Sequence, residues 1–272
     1  MLPTIAGLFV GFVAIGALMI ALERLWPANR GQAVLRRGFA LDIAYWAFTP
    51  VVTRAISRGA TIVGLIMLAV VLGWPIDRVT FTSGFGPFGA QPRWLQALEM
   101  IVLLDFIGYW MHRLFHGRRL WRFHAVHHSS EDLDWLSSVR VHPVNDLMNR
   151  LVPAIVVVLL GFSPLALAGV LPFFALYAIL LHANVDWDFG PFRKVISSPR
   201  FHRWHHTGEE NGRDKNFAGL MPLWDILFGT YYMPARSPER YGVEEPVPHG
   251  LFGQLVWPFR KVELVGGMKP RS

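Results

Sequence analysis

Eight histidines fall in three short segments: His112 and His116 in HRLFH, His124, His127 and His128 in HAVHH, and His202, His205 and His206 in HRWHH. The third segment repeats the HxxHH spacing of the second, and His182 closes an apolar block between them. These nine are drawn from eleven in the whole chain, so the clustering is a feature of the sequence and not of its composition. Residues four apart share one face of a helix, which pairs His112 with His116, His124 with His128 and His202 with His206. Neutral imidazole is a good ligand for iron or zinc, and pairs at these spacings converge without backbone strain. A lone histidine is usually a satisfied core or interfacial residue, but a repeated cluster is not explained that way. One metal site takes about three or four protein ligands. Nine imidazoles therefore suit two metal ions with four or five each. The set lacks the paired Glu and Glu-x-x-His pattern of soluble di-iron bundles. Zinc is chemically admissible, whereas oxygen chemistry calls for iron, which can change oxidation state.

Other polar residues are weaker candidates. His142, in VRVHP, is a candidate ligand whose ordinary alternative is a loop or supporting hydrogen bond, and His249, in VPHG, reads as neither. Asp105 lies two helical turns before His112 inside an apolar run. A carboxylate there is costly unless paired, so it either orients a histidine or neutralises Arg113 or Arg140. Asn184, Asp186 and Asp188 follow His182 in HANVDWDFG, where each orients a ligand or shapes the turn, with Asn184 favoured over the two acids. Asp225 reads as a cap or an ion-pair partner. Arg113, Arg118, Arg119 and Arg122 lie between the first two boxes, placed to meet lipid headgroups or an acidic electron-donor protein.

The elements that must hold these residues are apolar. Of 272 residues 53% are hydrophobic and only 17% charged, against about 25% charged in an ordinary soluble domain. The absence of cysteine removes disulfides, thiolate ligands and iron–sulfur clusters together. The net charge of +7 is carried beside apolar runs, where anionic headgroups explain it and nucleic acid is not needed. Residues 4–22 are uncharged and long enough to cross about 30 Å of hydrocarbon. With no basic segment before them and no cleavage site after, they read as a retained first membrane helix, and Arg30, Arg36 and Arg37 place the following loop in the cytoplasm. Residues 41–74, interrupted by Pro50, Arg54, Arg58 and Gly59, fit one broken crossing, or an interfacial piece and then a crossing. A Gly/Pro/Thr-rich loop over 73–93 leads to a return crossing at 95–111. Residues 150–182, divided by GFSP, read as a shallow hairpin whose halves are each short for a crossing and which enters and leaves on one side. Residues 183–272 form a cap on that face, with a short interfacial helix expected within 223–234. The fold class is thus an all-α integral membrane protein: few transmembrane helices, a short helical hairpin and a cytoplasmic helical cap carrying a dimetal site. Its divisions are N-terminal membrane helices (1–94), a catalytic region (95–232) and a C-terminal cytoplasmic tail (233–272).

The three histidine boxes, with DFIGYWMHRLFH, VRVHP, LHANVDW and NFAGLMPLWDILFGTY around them, resemble the membrane-bound fatty acid hydroxylase and sterol desaturase family over roughly residues 95–232. The resemblance implies a non-haem di-iron centre on the cytoplasmic side of a helical membrane domain, with O2 as co-substrate. Its reaction is hydroxylation or desaturation at an unactivated C–H bond of a sterol-like, fatty acyl or other long-chain lipid. It implies as ligands the eight histidines of the boxes, and His182 as the further ligand between the second and third. Some relatives carry another histidine four residues after that position. Asp186 stands there, so an aspartate ligates, or that ligand is missing or comes from elsewhere. Without a fused cytochrome b5 domain the chain needs a separate donor: a ferredoxin, a cytochrome b5-like protein or a reductase. The alternative class is a zinc-dependent membrane hydrolase or a metal transporter. A transporter wants ionisable residues at mid-membrane depth in several helices, and a hydrolase wants an acidic general base as in HExxH. The apolar runs show chiefly Asp105, and no HExxH is present.

Overall fold

The apolar runs fold as helices in a computed structural model that describes residues 5–260. The first uncharged run forms α1 (Ile5–Leu25). The second forms α2 (Phe39–Phe48) and α3 (Arg54–Leu72), joined without a break. Pro50 has no N–H to donate, and the chain absorbs it by widening into one π-helical turn over Thr49–Thr53. Phe39–Leu72 is thus a single rod of 34 residues. At about 1.5 Å per residue that is longer than a hydrocarbon layer. Its two halves do different work. In α2, Asp42 and Tyr45 are fully buried against the cap, while α3 packs on the hairpin and exposes Ile62, Val63, Met67 and Val70. The expected break at Pro50 is thus a widened turn inside one continuous helix.

The segment read as a loop after Gly73 holds two short helices, α4 (Arg78–Ser83) and α5 (Gly86–Gly89). Both lie against the turn of the hairpin. Gly84, at φ +80°, comes so close to the carbonyl of Gly161 that a Cβ would sit 2.2 Å from it. The return crossing is α6 (Arg93–Phe115), followed by α7 (Trp121–His128). The hairpin is α8 (Pro143–Leu159) and α9 (Pro164–His182). In the GFSP break Ser163 caps α9 by accepting from Ala166 N (3.2 Å), and Pro164 takes the first helical position. Pro172 does not end the helix. α9 therefore runs 19 residues, which corrects the expectation that both halves are short. It joins Phe39–Leu72 and Arg93–Phe115 as described helices long and apolar enough to cross a membrane.

The cap contains the short helices α10 (Pro199–His205), α11 (Leu223–Leu227) and α12 (Leu251–Val256). The interfacial helix expected within 223–234 is only the five residues of α11. The tail is also more than a tail. Val247 and Trp257 are buried with Tyr45, Trp121, Ala125 and Val126, so the chain up to residue 260 packs on the body. The expected extent to residue 272 continues outside the described residues.

A buried charge network fixes the segment between α7 and α8 to the start of α2 and the loop before it. Arg36 donates to Asp42 (2.7 Å) and to both oxygens of Asp134, and Arg140 donates through Nε to Asp42 (2.7 Å). Two guanidinium and two carboxylate groups, none more than 6% exposed, cancel one another. Asp134 in addition caps the turn Trp135–Val139, accepting from Leu136 N and Ser137 N. Burying such charges is tolerable only while each has its partner. Asp42→Ala leaves Arg140 buried without a carboxylate and is expected to lower unfolding free energy by about 3–5 kcal/mol. Thermal unfolding in detergent would read this as a lowered midpoint, and an unchanged midpoint would contradict the role given to the network.

Candidate metal centre

The ends of four helices deliver the nine histidines. His112 lies in the last turn of α6 and His116 caps it, α7 carries His124, His127 and His128, His182 ends α9, and α10 supplies His202 and His205 with His206 as its cap. They form two sets. His112, His116, His124, His128 and His205 make one, and His127, His182, His202 and His206 the other. Within each set one nitrogen per ring can be chosen so that all lie within 4.8 Å of one another. Each HxxHH box is divided: its i,i+4 pair goes to one set and its middle histidine to the other. The sets are neighbours, since His128 and His206 stack at 4.3 Å between ring centroids.

Hydrogen bonds on the outer side of the rings decide what the inner side offers. His112 Nδ1 donates to the carbonyl of Phe217 (2.8 Å), His205 Nδ1 to that of Lys215 (2.8 Å), His182 Nδ1 to that of Ala178 (2.7 Å) and His127 Nδ1 to that of Arg140 (3.2 Å). A carbonyl can only accept, so in these neutral rings Nδ1 carries the hydrogen and Nε2 presents a lone pair. His124 Nδ1 meets Asn145 Oδ1 at 2.7 Å, and His116 Nδ1 meets the Asp214 carboxylate at 2.8 Å.

On the inner side, Nε2 atoms face Nε2 atoms. The separations are 3.1 Å for His127 and His182, 3.3 Å for His182 and His202, 3.1 Å for His202 and His206, and 3.0 Å for His128 and His205. His127 and His182 both have Nδ1–H committed to a carbonyl, so no proton is left to bridge their Nε2 atoms. Lone pairs turned on one another at this range are mutually repulsive unless a cation sits among them. Protonation does not supply it. Burial holds the imidazoles of His127, His128, His202, His205 and His206 well below their ordinary value, and the neighbouring imidazoles push in the same direction. The donor set fits metal ions that accept neutral nitrogen, with the carbonyls, Asn145 and Asp214 orienting the rings from behind.

The other candidates from the sequence are placed elsewhere. Asp105 accepts from Leu220 N (2.7 Å), Met221 N (2.8 Å) and Trp224 Nε1 (2.9 Å), so its oxygens are spent on the chain after Phe217. It steadies the segment whose Phe217 carbonyl holds His112, and it pairs with neither Arg113 nor Arg140. His142 caps α8, accepting from Val144 N, and its Nε2 donates to Leu255 O (3.0 Å). Asn184 exchanges hydrogen bonds with Asn29. Asp186 is half exposed, pairs with Arg200 (2.9 Å) and Ser237 (2.9 Å), and belongs to neither set. These four lie outside the two sets because each is already committed to holding backbone or loop. Asp225 accepts from Phe217 N and Ala218 N.

Of the arginines, Arg113 lies over the Trp110 ring and donates to Tyr109, while Arg122 is turned inward over Trp257 and donates to Arg260 O (2.8 Å). Arg118 and Arg119 remain exposed in the turn after α6. A polar cavity of about 210 Å³ opens beside the five-histidine set, touching His116, His128 and His205 and rimmed by Arg213, Asp214 and Arg240. Asn145 and Asp214 were not legible as site residues. Asn145 stands three positions after His142, within the motif around VRVHP, and that position is the one signal that points to it.

Two expectations follow. Asn145→Ala frees the His124 ring and should weaken metal binding about 10–100-fold, as loss of an orienting partner usually does; unchanged affinity in a competitive chelator titration would contradict the role. For pH, the five depressed imidazoles bind protons more readily unfolded than folded. Stability of the metal-free protein should therefore be fully present above about pH 6.5, the ordinary imidazole value, and be lost progressively as pH falls below it. Unfolding midpoints across that window check the sign.

Comparison with known proteins places these residues in a family. A fatty acid hydroxylase profile matches residues 97–230, which spans all three boxes. Over 276 aligned residues the chain is 30% identical to the ornithine lipid hydroxylase OlsE of Rhizobium tropici, with 97% of this chain and 77% of that protein covered. Human alkylglycerol monooxygenase is 33% identical over 152 residues, covering 53% of this chain and 32% of that protein. The rice very-long-chain aldehyde decarbonylase GL1-4 is 28% identical over 151 residues, 51% of this chain and 23% of that protein. The chain thus aligns with a third or less of the length of these last two. No solved structure matches it.

Proposed function

The chain belongs to the fatty acid hydroxylase family, and from that premise we propose that it is a di-iron, O2-dependent enzyme hydroxylating an unactivated C–H bond of a membrane lipid. The observation that carries this reading is the pair of histidine sets, five and four, whose Nε2 atoms converge, those of His127 and His182 without a proton to share. Two iron ions held there would supply reductive activation of O2, one oxygen atom entering the substrate and the other leaving as water. Hydroxylation is favoured over desaturation by the names of the relatives, a hydroxylase and a monooxygenase. An aminolipid of the ornithine-lipid kind is the substrate class that the Rhizobium relative suggests.

The protein's own part is to bind, orient and shield. Six rings are fixed from behind through Nδ1, so the inward nitrogens need no reorganisation when metal arrives. Eight of the nine histidines are buried and His112 is half-buried, which keeps bulk water from the reacting carbon. The apolar faces of α6 and α9 end at His112 and His182, giving a lipid chain an approach from the membrane side. The polar cavity at His116 gives released water a way out on the opposite side. The histidine ends of α6 and α9 are assigned to the cytoplasmic face of the cell membrane; what supports this is the arginine-rich loop Arg30, Arg36 and Arg37, whose Arg36 pairs with Asp134 in the segment just after the second histidine box. Electrons come from a separate ferredoxin, cytochrome b5-like protein or reductase, which docks by its acidic surface on Arg118 and Arg119.

The test is oxygen labelling. Iron-loaded protein reconstituted with ornithine lipid and a reductant under 18O2 should release lipid hydroxylated with one 18O atom. His205→Ala should form none while keeping its helical circular dichroism. An unlabelled hydroxyl, or equal product from His205→Ala, would sink the proposal.

A further inference from the structure

A second cavity, of about 500 Å³, lies between α1 and α2, away from both histidine sets. Its volume is within the range of about 300–1,000 Å³ usual for small-molecule sites. Its walls divide sharply in character. Phe12, Val13, Ala17 and Ile20 form an apolar stripe along α1, faced by Phe39 and Ile43 of α2. Gly16 lets α1 approach the Trp135 ring, where even a Cβ would be 3.1 Å away, so the groove is closed behind by an aromatic wall. At one end of the stripe the lining turns polar with Glu23, Arg24, Arg30 and Gln32.

These four groups carry unspent bonding capacity. Arg24 and Arg30 are exposed and have no ion pair or hydrogen bond among the described residues. Glu23 accepts from Trp135 N (3.0 Å) and Asn184 N (2.8 Å), both on Oε1, and no cation lies within ion-pair distance of it among the described residues. Gln32 donates to Leu133 O through its amide nitrogen, while its Oε1 is buried without a partner. A buried acceptor left unsatisfied is costly, and its position on the cavity wall gives it one natural complement, a donor on an occupant. The polar end therefore asks for three things of one molecule: an anion for the two guanidinium groups, a cationic donor for Glu23 and Gln32, and a hydrocarbon chain for the stripe.

We propose that this cavity binds a zwitterionic membrane lipid, its anionic group on Arg24 and Arg30, its ammonium on Glu23 and Gln32, and a chain along α1. A lipid with only an anionic headgroup would leave the Glu23 carboxylate without a cation and Gln32 Oε1 without a donor, and a neutral diacylglycerol would leave the arginines bare. The site stands apart from the histidine sets, so its occupancy does not depend on the metal or on the oxidation chemistry. Asp134, Trp135 and Asn184, which wall it, also touch the elements carrying the histidines, so a bound lipid would brace α1 against the cap.

The test uses the full-length, metal-loaded protein in detergent, stripped of lipid and offered phosphatidylethanolamine, phosphatidylglycerol or diacylglycerol, with retention read by native mass spectrometry. Phosphatidylethanolamine should be retained roughly tenfold better than either of the others. The exposed double variant Arg24→Gln/Arg30→Gln and the groove-filling Ala17→Phe should each lose that retention. Glu23→Gln, which keeps an oxygen for Trp135 N and Asn184 N, should erase the preference for phosphatidylethanolamine over phosphatidylglycerol. Equal retention by wild type and the arginine variant would overturn the site. Phosphatidylglycerol bound by wild type as tightly as phosphatidylethanolamine would overturn its zwitterionic assignment.

Discussion

Lone pairs that cannot share a proton are the constraint on which this structure depends. Where two neutral imidazoles have each given their only N–H to a carbonyl, their remaining nitrogens repel at 3.1 Å, as in His127 and His182. Burial closes the alternative of protonation, because the charged ring would have to leave water. A metal cation turns the same geometry from repulsive to attractive. A metal bound there would add its binding free energy to folding, since sites of this kind do not exist in the unfolded chain.

The rest of the molecule reads as scaffolding for that arrangement. The rings come from the ends of α6, α7, α9 and α10, so the relative heights of those helices must be fixed. Asp105 does this on one side by gathering Leu220, Met221 and Trp224 onto α6, which sets the carbonyl that orients His112. The Arg36–Asp42–Arg140–Asp134 network does it on the other, and the Arg140 carbonyl holds His127. Both devices bury carboxylates, a costly choice that apolar packing alone would not require. Such charges fix one register of each helix against the segments packed on it, as directional bonds can and greasy contact cannot.

Much of the centre was legible from spacing. The repeated HxxHH, His112 with His116, and His182 at the end of an apolar block identify all nine convergent residues, and their number gives two sets of four or five. What spacing does not carry is the long-range partner. The acceptors behind His112 and His205 are backbone carbonyls, which have no residue signature, and Asp214 looks like any turn residue in NGRDKN. Asp105 was visible as anomalous, but its partners lie 115 to 119 residues later. Asn184 and Asp186 were drawn in by their nearness to His182 in sequence, and tertiary contacts to Asn29 and Arg200 claim them instead. The helices were legible in kind, less so in extent. Pro50 and the GFSP break both suggested shorter pieces, yet a widened turn absorbed the first and Ser163 and Pro164 turned the second into a helix start. Val247 and Trp257 in the tail gave no pattern, because what buries them is the tertiary surface of α2 and α7.

The most direct measurement is the location of metal in iron-loaded protein by anomalous scattering at the iron edge. The account predicts two iron peaks per chain, one ringed by His112, His116, His124, His128 and His205 and the other by His127, His182, His202 and His206. A single peak, or iron bound outside these two sets, would contradict it.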